Sequence, residues 1–369
     1  MRQHLRASRL VGAGVLTLLV GISGSGAAIA ATGPVVVASG LNSPRQLAFT
    51  PGGTLYVAEA GAAGPEGNCQ EHPELGHVCF GLTGSVARVG LDGKVERVVT
   101  DLPSAGSATD VIGPSDIAFT GNHQFALTIG LGGSPEYRAG YGADAALLGT
   151  VVTGDLRANK GAGTVTKVFD VAGYEAAANP DGTDVDSNSV GITRSGNGWV
   201  VADAGGNDVV STRGGGSTVG VLPPVPTTRP GGGLPPGFPA DAVPTDVVQG
   251  PDGAWYVSQL VGFPFEKGSS SIWRIVPGQT PQRWATGLTN VTSLAFADDG
   301  SLYAVQIASD GLLSGPVGAL VKVTPGASTH AIVAGGLFAP YGVAIRGSAA
   351  YVTTGSVAVG NGQVVKIAL

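Results

Sequence analysis

One pattern recurs six times along this chain, and an internal repeat constrains a fold more than any single motif does. Each copy is an apolar strand, a glycine turn, and a second apolar strand ending in small or polar residues. The first reads Pro44-Arg45-Gln46-Leu47-Ala48-Phe49, then Leu55-Tyr56-Val57-Ala58-Glu59. The fourth reads Pro244-Thr245-Asp246-Val247-Val248, then Trp255-Tyr256-Val257-Ser258. Leu47, Ile117, Val190, Val247, Leu294 and Val343 mark corresponding positions. Asn197-Gly198, Asp252-Gly253 and Asp299-Gly300 supply the positive φ angles that tight hairpins need. A third strand, a turn and a fourth strand follow most copies, and four antiparallel strands make one propeller blade. The fold class expected is therefore all-β, a six-bladed β-propeller. The last copy lacks a fourth strand, and the apolar segment 34–39 supplies it. The N-terminal strand then completes the last blade and leaves only short, protected edges. Glycine, at 62 residues, is frequent enough to suggest disorder, but short blocks of valine, leucine and alanine fit many strands joined by turns.

The first thirty residues read as a signal peptide rather than as part of the fold. Arg2, Arg6 and Arg9 precede an apolar run at 10–22, and Ala28-Ile29-Ala30 fits cleavage before Ala31. The run is shorter than the roughly 20 residues that span a bilayer. No later segment is long and apolar enough to cross a membrane. The propeller then occupies 31–369, outside the cytoplasm. Losing three arginines and no acid leaves 17 bases against 26 acids, a charge of −9. That balance, with no basic cluster, argues against nucleic acid as a partner and leaves a protein, a glycan or a small molecule.

Most of the length beyond four tight strands falls at 60–84, 130–163, 223–243, 259–271 and 307–318. These are second-to-third-strand and blade-to-blade connections, which share one face of a propeller. Binding residues concentrate in such loops.

Asp186-Ser187-Asn188, Val201-Ala202-Asp203-Ala204-Gly205-Gly206-Asn207-Asp208 and Leu260-Val261-Gly262-Phe263-Pro264-Phe265 together resemble the ScyD/ScyE family. So do Cys79-Phe80-Gly81, Val243-Pro244-Thr245-Asp246 and Thr286-Gly287-Leu288-Thr289-Asn290-Val291. The resemblance runs over nearly the whole of 31–369. It implies an exported propeller related to NHL repeats and brings no catalytic residue with it.

Polar residues gather around the third copy. Asp181, Asp184, Asp186 and Asn188 precede its first strand, and Asp203, Asn207 and Asp208 follow its second. Such oxygen-rich sets suit Ca²⁺, and equally serve turns and caps. Ser189 and Ser195 stand where an EF-hand needs glycine and glutamate, which excludes that motif. Glu59, Thr128, Asp203, Ser258, Gln306 and Thr354 end the second strands and read as a polar ring at the channel mouth, with Asp246 beside it. Six-bladed lactone hydrolases hold a divalent metal in such a place. Glu59, Asn188 and Asp203 are the set here that would hold Ca²⁺ or another divalent metal. Cys69 and Cys79 share one loop of an exported chain, so a disulfide is expected, with zinc alongside His72 and His77 as the alternative. No serine sits in a Gly-x-Ser-x-Gly elbow, and no phosphate loop or dinucleotide fingerprint occurs. The sequence thus points to a non-enzymatic binding scaffold. The competing reading is a metal-dependent hydrolase or lyase, lactonase-like, at the central channel.

Overall fold

Each repeat becomes one antiparallel sheet whose strands lie side by side in chain order. The computed structural model describes residues 33–72, 75–107, 110–157, 165–228 and 237–369, and the leader read at 1–30 lies outside them. All that follows concerns the unit Thr32–Leu369.

Sheet I pairs Pro44–Phe49, Leu55–Glu59, Gly76–Val89 and Val95–Gly106, with Cys69–His72 and Val111–Ile112 as additions. Sheet II holds Pro114–Phe119, Gln124–Ile129, Thr150–Asp155 and Val165–Asp170. Sheet III holds Ser189–Ser195, Gly198–Asp203, Asp208–Ser211 and Ser217–Val221. Sheet IV holds Pro244–Gln249, Trp255–Gln259, Ser270–Ile275 and Gln282–Leu288. Sheet V holds Val291–Phe296, Leu302–Gln306, Val317–Lys322 and Ala331–Phe338. Sheet VI holds Val343–Arg346, Ala349–Thr354 and Gly362–Ala368, and its outer strand is Val35–Leu41 from the other end of the chain. That strand pairs antiparallel with Gly362–Ala368, Val35 facing Lys366. The helices are short: α1 (Pro135–Ala139) inside sheet II and α2 (Val171–Ala178) between sheets II and III.

Burial explains the order. Apolar side chains of each sheet pack on the next. Tyr56 and Ile117 join sheets I and II, Ala126 and Ile192 sheets II and III, and Val200 and Val257 sheets III and IV. Ile272 and Leu294 join IV and V, Val305 and Val352 join V and VI, and Val364 and Leu47 join VI back to I. The first strands also touch in this cyclic order.

The first strands of sheets I to V share one irregularity. The ladder skips between Pro44 and Leu47, Pro114 and Ile117, Ser189 and Ile192, Pro244 and Asp246, and Val291 and Ser293. After the skip, Leu47 faces Val57, Ile117 faces Leu127, Ile192 faces Val201 and Val247 faces Val257. Ile192 is therefore the counterpart of Leu47, and the sequence marker Val190 stands two residues early. Period-two alternation gives both residues the same side of a strand, and only the register separates them.

The first long insertion is largely strand: Gly76–Val89 extends beyond the sheet to pair with Cys69–His72. The second, after Ile129, carries α1 before strand Thr150–Asp155. At the opposite edge, first-to-second-strand turns stay short, at 196–197 in sheet III and 347–348 in sheet VI.

Candidate functional site

Residues at or next to these skips, with Tyr341 from just before the first strand of sheet VI, meet where the sheets converge. Arg45, Gln46, Ser115, Asp116, Thr245, Asp246, Thr292, Ser293 and Tyr341 are all buried. The Gln46 amide of sheet I donates to the Thr292 carbonyl of sheet V, 3.0 Å away. Tyr341 of sheet VI bonds with the Ser115 hydroxyl of sheet II. The Arg45 guanidinium lies 4.6 Å from the Tyr341 ring centre and pairs with Asp110 at 3.1 Å. Asp116 accepts from its neighbour Ile117 N–H and from Ile192 N–H of sheet III. Asp246 accepts from Val247 N–H, and from the Ser293 hydroxyl and Leu294 N–H of sheet V. Each aspartate thus staples its own sheet to the next. Burial pushes both carboxyls above the usual range, and the charge of Asp246 pushes Asp116 further. Packing here is close enough to require glycine. A Cβ on Gly191 would stand 2.5 Å from Asp246 Cα, and one on Gly342 would stand 2.7 Å from Gln46 Cα.

The expected ring at the second-strand ends divides. Glu59, Asp203 and Gln306 occupy equivalent register positions, and each accepts the N–H of the chain arriving at its own sheet: Asn42 (2.7 Å), Asn188 (2.5 Å) and Thr289 (2.7 Å). Ile129 and Gln259, not Thr128 and Ser258, face Pro114 and Pro244 as Glu59 faces Pro44. Thr128 donates to the Val190 carbonyl of sheet III, and Ser258 bonds Thr245, which reaches the Val291 carbonyl. These two tie sheets together rather than line an opening. Thr354 ends its strand in sheet VI and is buried. Glu59 is held within sheet I by Asn42, Ser85 and Arg97. Asn188 and Asp203 do meet, through the Asn188 N–H, while the Asn188 side chain accepts from Leu131 N–H.

A second group of acids lies beside sheet III. Asp170 caps α2 through Gly173 N–H and is clamped by Arg138 at 2.9 and 3.0 Å. That clamp aims the helix so that Glu175 is buried, 1% exposed. The turn after Asp203 passes Asn207 at φ 52° and delivers Asp208, which is also buried. Asp203 accepts from the Ser187 hydroxyl at 2.7 Å as well as from Asn188. By contrast, both carboxylate oxygens of Glu175 and both of Asp208 accept no hydrogen bond. Burial, then the charges of Asp203, Asp181, Asp186 and Asp184, push Glu175 up to about 8. Burial pushes Asp203 up to about 6 and, with Asp203 and Glu175 nearby, holds Asp208 well above the carboxylate range. Gly206 faces this group: a Cβ there would stand 2.9 Å from Glu175 Oε2 and 3.5 Å from Asp203 Cγ. The sequence pointed to Asp203, Asn207 and Asp208 but not to Glu175. The available signal was an acid within the apolar run Val171-Ala172-Gly173-Tyr174-Glu175-Ala176-Ala177.

Cys69 and Cys79 face each other across their two strands and form a disulfide, which corrects the zinc alternative. Glu66 and His77 stand beside the bridge, but its sulfurs are bonded to each other. His72 turns instead to the Gly132 carbonyl at 2.7 Å. No helix among the described residues is long and apolar enough to cross a membrane.

No family profile matches the chain, and no curated protein matches it. Two solved structures, each described as a glucose dehydrogenase, match over 92% of this chain and 100% of their own. Their identities are 14% and 12%, and their TM-scores 0.53 and 0.52. A virginiamycin B lyase from Staphylococcus aureus aligns over 91% of this chain and 98% of its own, at 10% identity and a TM-score of 0.45. The two dehydrogenases are β-propellers, and likeness at that identity carries the fold alone: this chain has a β-propeller fold.

Proposed function

We propose that residues 31–369 form an exported, six-bladed β-propeller of the ScyD/ScyE kind that binds a partner rather than transforming a substrate. The filled axis carries this reading. A reaction site needs a concave, reachable space, and the convergence of the first strands is occupied by Arg45, Tyr341, Gln46, Asp116 and Asp246, all buried and bonded across sheets. The loop-bearing edge instead exposes apolar side chains: Phe263, Leu313, Val317, Phe338 and Val359. Sheets IV to VI supply these residues from connections and strand ends at one edge, which suits a protein or glycan met outside the cytoplasm. The disulfide is compatible with that location.

Two measurements test the reading. The purified chain is assayed on lactones, esters and aldoses, with and without divalent metals. It is also immobilised and challenged with polysaccharides and secreted proteins from its own culture. Retention lost in Phe263→Ser and Leu313→Ser, but kept in Leu91→Ser on a turn at the other edge, supports binding. Turnover abolished by Asp246→Asn overturns it in favour of a hydrolase or lyase.

A further inference from the structure

We propose that the space between α2 and the turn 204–207 is a divalent-cation site of the Ca²⁺ class, with the carboxylates of Glu175, Asp203 and Asp208 as ligands. The site stands apart from the filled axis and requires no catalysis.

Three observations converge on it. The first is the missing partner. Glu175 and Asp208 are buried, yet none of their four carboxylate oxygens accepts a hydrogen bond. Buried carboxylates are ordinarily paired or bonded, because stripping water from such a group costs several kcal/mol or more. The second is the sign of the surroundings. The charged groups felt by Glu175 are Asp203, Asp181, Asp186 and Asp184, and those felt by Asp208 are Asp203, Glu175 and Asp181. Every one is an acid, so the missing partner is a cation. The third is room. Gly206 is the residue of the turn whose Cβ would press on Glu175 Oε2 and approach Asp203.

The donor chemistry selects the ion. Three carboxylates with no sulfur or imidazole form a hard oxygen set, which suits Ca²⁺ or Mg²⁺ and disfavours zinc. Ca²⁺ accepts six to eight oxygens in irregular geometry at about 2.3–2.6 Å, whereas Mg²⁺ demands a near-regular octahedron. A set drawn from a helix, the end of one strand and the start of the next is irregular. Among the described residues, the acids here do not bring three ligand atoms within 4.8 Å of one another, so binding draws them inward. Glu175, at the end of a long side chain beside a glycine, is the ligand that moves. Asn207 holds Asp181 at the rim at 3.0 Å, where it adds negative potential without joining the set.

The test uses the purified, disulfide-bonded protein, stripped with chelator and dialysed. Titration calorimetry with CaCl₂ and MgCl₂ is paired with thermal unfolding. The expected result is one Ca²⁺ per chain, Mg²⁺ at least about tenfold weaker, and a Ca²⁺-dependent rise in Tm. Glu175→Gln weakens Ca²⁺ at least about tenfold and removes the Tm rise, while Asp184→Asn, an exposed neighbour, leaves both. Asp208→Asn behaves as Glu175→Gln does; where it fails to fold, Glu175→Gln alone carries the test. No heat and no Tm shift with millimolar Ca²⁺ overturns the proposal. Ca²⁺ binding undiminished in Glu175→Gln overturns it as well.

Discussion

At the axis, Asp116 and Asp246 are buried, as Glu175 and Asp208 beside sheet III are, but they are treated differently. The axial pair receives backbone N–H groups from its own sheet and from the next. Neither Glu175 nor Asp208 receives a donor. Backbone donors are fixed by the fold, so the axial acids work as staples whatever the solvent contains. Glu175 and Asp208 lack such donors and depend on a partner from outside the chain. Burial of charge therefore does not by itself mark a site; what separates the two regions is whether the fold supplies the counterpart.

The contrast can be broken most sharply at Asp246. Asp246→Ala strands Val247 N–H, Leu294 N–H and the Ser293 hydroxyl, at roughly 1–3 kcal/mol each. Urea unfolding should show a loss of about 3 kcal/mol or more, with or without Ca²⁺. A loss under about 1 kcal/mol would mean the staple is not what holds sheets IV and V together.

Matched glycine substitutions come next. Gly191→Ala drives a methyl against the Asp246 backbone and should cost about 2 kcal/mol, as overpacking does. Gly206→Ala meets the far end of the long Glu175 side chain rather than backbone and should cost under about 1 kcal/mol, yet weaken Ca²⁺ binding. Equal costs at the two positions would erase the distinction between a packed axis and a cradle.

The pH dependence separates the regions more finely. Glu175 sits at about 8 and Asp203 at about 6 in the folded chain, against about 4 when unfolded. The folded form thus holds protons that the unfolded chain has released. That contribution is complete below about pH 4 and is lost as pH rises to about 8. In chelator, Tm should fall as pH rises from about 5 to about 8, and Glu175→Gln should flatten the upper half of that fall. Ca²⁺ should flatten it too. The axial acids are also pushed up, so Asp246→Asn should act on the decline whether or not Ca²⁺ is present. The smallest effect is expected for Asp208→Asn in chelator. Removing an unpartnered buried charge should leave Tm unchanged or slightly raised, and a large drop would show that Asp208 already has a partner.

Several elements are legible in the sequence. The strand–turn–strand copies, the use of segment 34–39 to complete the last sheet, and the Cys69–Cys79 bridge all followed from local pattern. Alternation and turn chemistry act within a few residues, so a sequence displays them directly. Register was not legible. Val190 and Ile192 have the same polarity and the same side of a strand, and Thr128 and Ser258 sit one residue from Ile129 and Gln259, which hold the equivalent place. A skip in the ladder decides such cases, and a ladder exists only between paired strands.

What the sequence by itself determined was the all-β class and its closure, because a repeat that cannot bury its faces alone must stack on copies of itself. What only the tertiary structure decided was the use of each acid. The donors that satisfy Asp116 and Asp246 come from residues 76 and 48 positions away along the chain. The carboxylate that acts most on Glu175 is that of Asp203, which ends a strand of sheet III, and Asp181, Asp184 and Asp186 of the connection leading into that sheet add to it. Electrostatic environment is set by distance in space, and no local pattern records that.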